Sequence, residues 1–282
     1  MTDPQGAPAA LPTPHSAAGR AGLAALLRAP ATALIALDFD GTLAPIVSDP
    51  AAARADPAAV AALRRLAPLA GTLAVITGRP ALSAVEYAGL ESVPGIIVLG
   101  HYGRQRWQAG ELISPPEPPG LAAAREQLPG VLAAAGAPDG TWTEDKGEAL
   151  AVHTRRTAEP ARALERLRGP LAALAERTDL TVEPGRLVIE LRPPGSDKGL
   201  ALKNLASERN PSATLFCGDD LGDRPAFRAV AELRAAGIPG VTVCAGSEEV
   251  SVLADEADLV VDGPAGAAAL LDSLAAAFAA GR

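Results

Sequence analysis

The 282-residue chain is poor in aromatic residues and in cysteine. Aromatic residues make up 3% of it, and there are only two cysteines, Cys217 and Cys244. Each cysteine ends an apolar run, and the two do not form a pair with metal-ligand spacing, so we interpret both as small buried side chains in a reducing cytoplasm. The scarcity of cysteine argues against a disulfide-stapled fold and against a thiolate metal centre.

The chain also lacks an excess of basic residues and a long apolar run. It has 25 basic and 33 acidic residues, a net charge of −8, which provides no electrostatic footprint for nucleic acid. The longest weakly polar stretch, 265–280, contains Asp272 and Ser273 and predicts a terminal amphipathic helix, not a membrane span. No basic segment followed by an apolar core opens the sequence, so no secretory signal is predicted. We expect a monomer in the cytoplasm that acts on a small molecule, with no nucleic-acid or membrane partner.

Two carboxylates follow the first strong apolar run. The run 34–37 has the length and bulk of a buried parallel strand and leads into Asp38-Phe39-Asp40-Gly41-Thr42. Asp38 and Asp40 crowd negative charge at the strand end, and Mg²⁺ is the cation that oxygen ligands of this kind favour. Asp38 could attack phosphorus, and Asp40 could give and take the proton. The alternative is a solvated turn, but a turn requires neither the second acid nor the Thr-Leu that follows.

Two further motifs suggest phosphate binding. The predicted strand 72–76 ends in Thr77-Gly78-Arg79, where a hydroxyl and free N–H groups could hold a phosphate, although helix capping would explain Thr77 equally well. Lys198 stands at a predicted helix start, where a cation is electrostatically unfavourable, which suggests that it neutralises a phosphate.

A second acidic cluster follows the predicted strand 213–217. Asp219, Asp220 and Asp223 place three acids within five residues. Beside Asp38 and Asp40 they could complete an oxygen cage for Mg²⁺. As an isolated loop they would form only a polar turn.

The order of the predicted elements defines the fold class. Six predicted strands alternate with helices, which indicates a doubly wound parallel sheet of the Rossmann-like α/β class, with the motifs converging at the strand ends. Trp107 and the proline-rich 114–119 are interpreted as a linker matched by 193–195, with an inserted α+β domain between the two. The predicted bounds are a disordered segment 1–22, core parts 23–116 and 195–282, and an inserted cap 117–194.

The insert has the predicted order helix, strand, strand, helix, strand, strand. In 187–192, Leu187, Ile189 and Leu191 share one face, and in 149–155, Leu150 and Val152 do so. If these apolar faces pack on the helices, the opposite face presents Glu144, Lys146, His153, Arg155, Glu190 and Arg192. A solvated sheet face with mixed charges would give the same pattern.

The ordered motifs resemble those of the haloacid dehalogenase-like phosphatases. In the insert, Glu144-Asp145-Lys146-Gly147, His153-Thr154-Arg155 and 188–193 resemble the cap strings of trehalose-6-phosphate phosphatases, as Gly100-His101-Tyr102-Gly103 does imperfectly. The resemblance extends from about residue 30 to the end. The chain departs from it at Gly222, Arg224 and Pro225.

The resemblance implies a Mg²⁺-dependent sugar phosphatase with defined residue roles. Asp38 would be the nucleophile and a metal ligand, Asp40 the acid/base with its carbonyl on the metal, and Asp219 the third ligand. The other implied residues are Thr77 and Lys198 on the phosphoryl group; Gly78, Arg79, Glu144, Lys146, Arg155 and Glu190 on the substrate; and Asp220 and Asp223 in support. The roles of His101 and His153 stay open.

Other functions are compatible with the same build. One is a sugar phosphatase acting on sucrose phosphate or mannosyl-3-phosphoglycerate. The other is a non-catalytic regulatory partner of a trehalose-phosphate synthase, although a protein without catalysis has no need for so costly a charge cluster.

Overall fold

The computed structural model describes residues 11–47, 49–185, 187–246 and 251–281. The chain forms two compact units: a core unit, from 1–113 and 197–282, and an insert unit, 114–196. The predicted bounds of the insert, 117 and 194, differ from these by two or three residues.

The helices and strands follow in chain order. The first part of the core unit contains α1 (Ala17–Arg28), β1 (Leu34–Leu37), α2 (Pro57–Leu66), β2 (Thr72–Ile76), α3 (Ala81–Ala88), β3 (Ile97–Gly100), β4 (Gln105–Gln108) and β5 (Glu111–Ile113). The insert unit contains α4 (Pro119–Ala134), β6 (Trp142–Asp145), β7 (Leu150–His153), α5 (Pro160–Arg177), β8 (Thr181–Gly185) and β9 (Val188–Arg192). The core unit resumes with α6 (Lys198–Arg209), β10 (Thr214–Gly218), α7 (Arg224–Ala235), β11 (Gly240–Gly246), α8 (Ser251–Glu256), β12 (Leu259–Asp262) and α9 (Gly263–Ala280).

The core sheet confirms the predicted doubly wound α/β class. Its strand order is β12-β11-β10-β1-β2-β3-β4-β5, and the six strands from β12 to β3 run parallel. The chain moves outward in one direction from β1 and in the other from β10, so the boundary between β1 and β10 is the topological switch point where such sheets bind ligands.

Both faces of this sheet are apolar and covered by helices. Ile35 and Leu37 of β1 pack on one side with α1, α2, α3 and α9, while Leu34 and Ala36 pack on the other with α6, α7 and α8. A strand buried on both faces has no polar alternation, which explains the continuous apolar run in the sequence.

Helix α9 packs as a core helix. Among the described residues it is the helix long and apolar enough to cross a membrane by length and composition, with a mean hydropathy of 1.3. Leu270, Leu274 and Phe278 nevertheless lie buried in the core unit. The apolar residues of α9 therefore pack within the core unit.

The linker predicted around Trp107 is wrong in its first part. Strands β4 and β5 form an antiparallel hairpin that extends the core sheet beyond β3. Trp107 pairs with Val98 and is buried in the core, because the indole covers the edge of the apolar layer. Within the predicted linker, residues 114–118 lack regular structure.

The prediction of a disordered segment over 1–22 is wrong from Ala17 onward; residues 1–10 lie outside the described part of the chain. Ser16 caps α1 by accepting the N–H of Gly19, and Leu23 and Leu26 are buried against the core. Gly22 lies so close to the backbone of Gly240 that a side chain would clash there. Tertiary packing therefore orders a helix that composition alone does not indicate.

Asp258 fastens α1 to the core sheet. Its buried carboxylate accepts hydrogen bonds from the Ser16 hydroxyl, the Arg234 guanidinium, and the N–H and hydroxyl of Thr242, the last two at 2.8 and 2.9 Å. We expect Asp258→Ala to lower the free energy of unfolding by about 2 to 4 kcal/mol, because it leaves the N–H and hydroxyl of the buried Thr242 without this acceptor and removes the charged partner of Arg234. Urea unfolding measures the change. Asp272→Ala, which removes a half-exposed partner of Arg65, is the control and should change the free energy by less than about 1 kcal/mol.

The insert unit is the predicted α+β fold. Its sheet has the order β6-β7-β9-β8 with antiparallel neighbours. Leu150, Val152, Ile189 and Leu191 are buried with apolar residues of α4 and α5. The apolar faces therefore pack on the helices, as the alternation predicts. Leu187 was predicted to join them but lies in the turn before β9, with φ +61°.

Candidate active site

Three neighbouring strands end at one place in the core unit. Leu37 of β1 pairs with Cys217 of β10 on one side and with Val75 of β2 on the other. Asp38 follows β1, Asp219 follows β10 and Thr77 follows β2, so the register sets the three side by side. All three are buried.

Lys198 lies within the acidic cluster. At the first position of α6, its ammonium nitrogen is 2.7 Å from Oδ1 of Asp38 and 2.7 Å from Oδ1 of Asp223, and all three side chains are buried. Burial alone would lower the pKa of Lys198, but the carboxylates of Asp223 and Asp38 outweigh it and raise that pKa well above its usual value. The lysine is therefore a permanent cation, as its unfavourable helix position suggested.

The single positive charge of Lys198 does not balance the negative charges of the carboxylates around it. Ligand atoms of Asp38, Asp219 and Asp223 lie within 4.8 Å of one another. Burial raises the pKa of Asp38 well above its usual value against the opposing charge of Lys198, while Asp223 and Asp219 raise it further. Burial, with Asp223 and Asp220, raises the pKa of Asp219 to about 8. The cluster thus favours either bound protons or an additional cation.

The surroundings of Asp219 fit a divalent cation. Its Oδ1 is buried without a hydrogen-bond partner among the described residues, and Gly41 packs so closely that a Cβ there would lie 1.9 Å from Oδ2. A carboxylate oxygen left unsatisfied in a cluster of acids is the donor that Mg²⁺ takes. Asp38 and Asp219 are the two side chains suited to hold it.

Asp223 has a supporting place. Its Oδ1 accepts from Lys198, and its Oδ2 accepts the backbone N–H groups of Asp219, at 2.9 Å, and Asp220, at 3.2 Å. The side chain of Asp220 in turn accepts the N–H of Gly222 at 2.8 Å. Because both oxygens of Asp223 are already engaged, we infer that it shapes the loop that presents Asp219.

The turn after β2 is built around Thr77. Its hydroxyl accepts the N–H of Arg79 at 3.1 Å, while α3 begins after Pro80 without a side-chain cap, so Thr77 does not cap that helix. His101 and Tyr102 donate their N–H groups to the carbonyls of Arg79 and Thr77, each at 2.9 Å. Both have left-handed backbone angles, φ +48° and +58°. The turn after β3, which contains His101 and Tyr102, therefore supports the turn after β2 through these two hydrogen bonds. Its positive φ angles cost backbone strain. The sequence did not predict this contact.

Asp40 points to a different partner. Its carboxylate receives two hydrogen bonds from Arg79, Nε to Oδ2 at 2.7 Å and Nη2 to Oδ1 at 2.6 Å. The carboxylate of Asp40 is not part of the group of Asp38, Asp219 and Asp223 that could hold a metal ion, although its charge acts on Asp219. The family resemblance implied that Arg79 contacts the substrate and did not indicate its pair with Asp40. Gly78 lies between Thr77 and Arg79, where a Cβ would lie 2.6 Å from the hydroxyl of Tyr102.

The polar face of the insert sheet carries a second group of predicted residues. Glu190 is buried and accepts from Lys146 through Oε2 at 2.5 Å, while its Oε1 has no hydrogen-bond partner among the described residues. Glu144 contacts the ring nitrogen of His153 at 3.0 Å, and His153 stacks on Trp142 with ring centroids 3.8 Å apart. Trp142 was not predicted, although its position two residues before Glu144 gives it the same parity.

Arg155 does not lie on the strand face predicted for it. Strand β7 ends at His153, and Arg155 is exposed in the turn that follows. The buried hydroxyl of Thr154 donates to the carbonyls of Pro160 and Leu187, at 2.9 and 3.3 Å, which ends the strand before Arg155.

The chain is similar to known proteins in sequence and in fold. A sequence model described as trehalose-phosphatase matches residues 36–260. The trehalose-phosphate phosphatase of Mycobacterium avium is 34% identical over 254 residues, which are 84% of this chain and 61% of that protein. The chain therefore spans about three fifths of the length of this relative.

Solved structures show the same fold. The trehalose-6-phosphate phosphatase of Aspergillus fumigatus superposes with a TM-score of 0.64 at 25% identity, covering 94% of this chain and 99% of that one. The C-terminal domain of the Candida albicans trehalose-6-phosphate phosphatase gives a TM-score of 0.74 at 23% identity, covering 95% and 99%. Since the family match spans most of the sequence and includes Asp38, Thr77, Lys198 and Asp219, the chain belongs to the trehalose-phosphatase family.

Proposed function

We propose that this chain hydrolyses trehalose 6-phosphate to trehalose and phosphate, the last step of trehalose biosynthesis, with Mg²⁺ as cofactor. The observation that carries the proposal is the buried group of Asp38, Asp219 and Lys198 at the switch point of the sheet, in a chain of this family. A phosphate monoester carries negative charge, so a site with a fixed cation and room for a metal ion suits it.

In the proposed reaction Asp38 is the nucleophile. One of its carboxylate oxygens forms a bond to phosphorus while the ester bond to the sugar oxygen breaks, and Asp40 gives its proton to that leaving oxygen. Water then attacks phosphorus, its proton passes to Asp40, and the bond between Asp38 and phosphorus breaks. Asp40 thereby returns to its starting protonation state.

The remaining residues of the core unit position the phosphoryl group and neutralise its charge. Lys198 and Thr77 bind the phosphoryl oxygens, and Asp220 and Asp223 hold the loop of Asp219. The carboxylates of Asp38 and Asp219 and the carbonyl of Asp40 would hold Mg²⁺, which would supply positive charge to the transferring phosphoryl group.

We further propose that Glu144, Lys146 and Glu190 on the polar face of the insert sheet, with Arg155 in the turn after β7, bind the sugar. Glu190 supports this best, because a buried carboxylate oxygen without a partner is an acceptor for a sugar hydroxyl. A substrate that lacks this hydroxyl would leave the oxygen unpaired, so the contact would select among sugars.

The cellular setting is also a proposal. We propose that the chain acts as a monomer in the cytoplasm. The free thiols of Cys217 and Cys244, both buried, fit a reducing compartment.

A panel of sugar phosphates tests the substrate. We expect phosphate release from trehalose 6-phosphate to exceed that from sucrose 6-phosphate and mannosyl-3-phosphoglycerate at matched concentration, with Mg²⁺ present. Preference for either of the others would reassign the substrate. Turnover of none would favour the regulatory alternative.

Glu190→Gln is expected to raise KM for trehalose 6-phosphate about 10- to 100-fold and to leave KM for p-nitrophenyl phosphate nearly unchanged. The reason is that the variant removes a charged acceptor for the sugar and leaves the residues of the core unit unchanged. Steady-state kinetics with both substrates measure the difference. Glu176→Gln, at an exposed position of α5, is the matched control, and a loss shared by both substrates would contradict a sugar-binding role.

A further inference from the structure

We infer that Arg79 is a positioning residue: its guanidinium holds the carboxylate of Asp40 in the orientation from which Asp40 protonates the leaving oxygen of the substrate. The inference rests on the proposed phosphatase function. It gives Arg79 a role other than the substrate contact that the family resemblance implies.

The contact between the two side chains is bidentate. Nε and Nη2 of Arg79 donate to the two oxygens of Asp40 at 2.7 and 2.6 Å, although 39 residues separate them in sequence. Two parallel hydrogen bonds between a planar guanidinium and a carboxylate fix the plane as well as the position of the acid. A single hydrogen bond would leave the carboxylate free to rotate.

Arg79 is itself held from several sides. Nη1 donates to the carbonyl of Pro50 at 2.7 Å, and the guanidinium carbon lies 5.1 and 5.4 Å from the ring centroids of Phe39 and Tyr87. Its backbone N–H is bonded to Thr77. The arginine side chain is only 14% exposed. This surrounding structure makes Arg79 a rigid support, with three of the five N–H donors of its guanidinium engaged by Asp40 and Pro50.

Asp40 needs such a support because its own side chain is 41% exposed. Asp38, by comparison, is buried and has Lys198 as a partner. An exposed carboxylate samples several rotamers, and only one of them places its proton at a given leaving oxygen. Fixing that rotamer before the substrate arrives removes an entropic cost from the proton-transfer step.

The chemistry of arginine suits this task better than that of lysine. A carboxylate has about four acceptor sites, so two hydrogen bonds leave sites for the transferred proton. The guanidinium stays protonated at all working pH values and therefore does not compete for that proton. Lysine would preserve the charge but would lose the fork that fixes the carboxylate plane.

Two substrates with different leaving groups test the inference. A sugar alkoxide requires a proton in order to leave, whereas p-nitrophenolate is stable without one. We expect Arg79→Gln to lower the single-turnover rate of trehalose release from trehalose 6-phosphate about 10- to 100-fold, and the rate of the p-nitrophenolate burst less than about 3-fold. Both measurements report the first step, before the attack by water that the two esters share. Arg79→Lys should fall between the wild-type protein and Arg79→Gln. In an Asp40→Asn background, Arg79→Gln should cause no further loss, since the group that it positions is gone.

Arg54→Gln is the matched control, because Arg54 stacks on Tyr87 at 4.8 Å but has no hydrogen bond to Asp40. Thermal unfolding of each variant establishes that it is folded. Equal losses on the two substrates, or an effect confined to KM, would overturn the inference and return Arg79 to substrate binding. If the wild-type chain hydrolyses neither ester, the proposed function fails and the inference fails with it, an outcome distinct from equal losses.

Discussion

Asp38→Asn is expected to slow the hydrolysis of trehalose 6-phosphate by about 10⁴-fold or more. An amide of the same shape is a poor nucleophile toward phosphorus, and Asp38 is the residue that directly follows β1, between the ends of β2 and β10. Loss of a nucleophile removes the whole covalent route, so the effect is far larger than the loss of one hydrogen bond. Phosphate release under saturating substrate measures it.

The fold should survive this substitution. Lys198 keeps Asp223 as a partner at 2.7 Å, so no buried cation is left unpaired. The variant also removes a carboxylate whose ionisation burial disfavours. We therefore expect an unchanged or higher midpoint of thermal unfolding. Acid quenching of the wild-type enzyme during turnover should trap phosphate on the peptide that contains Asp38, and substantial activity of Asp38→Asn would rule out the covalent route.

Much of this site could be predicted because its parts lie in short, regular stretches of sequence. Asp38, Thr77 and Asp219 each follow a buried strand of four or five residues. Parallel strands present their carboxyl ends at one edge, so the topology brings the three together without any information on side chains. The same reasoning applies to the apolar face of the insert sheet, where a period of two is sufficient.

What could not be predicted depends on tertiary packing. The hairpin β4–β5 is short and has polar residues at most positions, so only its pairing with β3 makes it a strand pair. Helix α1 is rich in alanine and glycine, and its order comes from Asp258 and the buried leucines. The pair of Asp40 and Arg79 joins two motifs through side-chain rotamers, which no spacing in the sequence specifies.

Asp219→Asn is expected to remove the stabilisation that Mg²⁺ gives the protein and to lower kcat about 10²- to 10³-fold. In the wild-type chain Mg²⁺ at 100 times its dissociation constant should raise the free energy of unfolding by about 2.7 kcal/mol. The Asn side chain offers a neutral oxygen in place of the carboxylate with the unsatisfied Oδ1, so the ion loses a charged ligand. Thermal unfolding with and without Mg²⁺ measures the stabilisation, and Asp272→Asn, at the surface, should retain it.

The pH dependence of this stabilisation follows from the raised pKa of Asp219. Without metal, Asp219 titrates near pH 8 in the folded chain and near pH 3.9 when unfolded. Between these values Asp219 holds a proton in the folded state that it has lost in the unfolded state, so its contribution to the stability of the metal-free protein falls as pH rises from about 4 to about 8. Mg²⁺ must displace that proton, so the stabilisation at a fixed Mg²⁺ concentration should grow between pH 6 and pH 8.

Because Asp219→Asn removes the titration, the metal-free variant should be at least as stable as the metal-free wild type at pH 8 and less stable than the wild type with Mg²⁺. A Mg²⁺ response of equal size in both proteins would place the ion elsewhere.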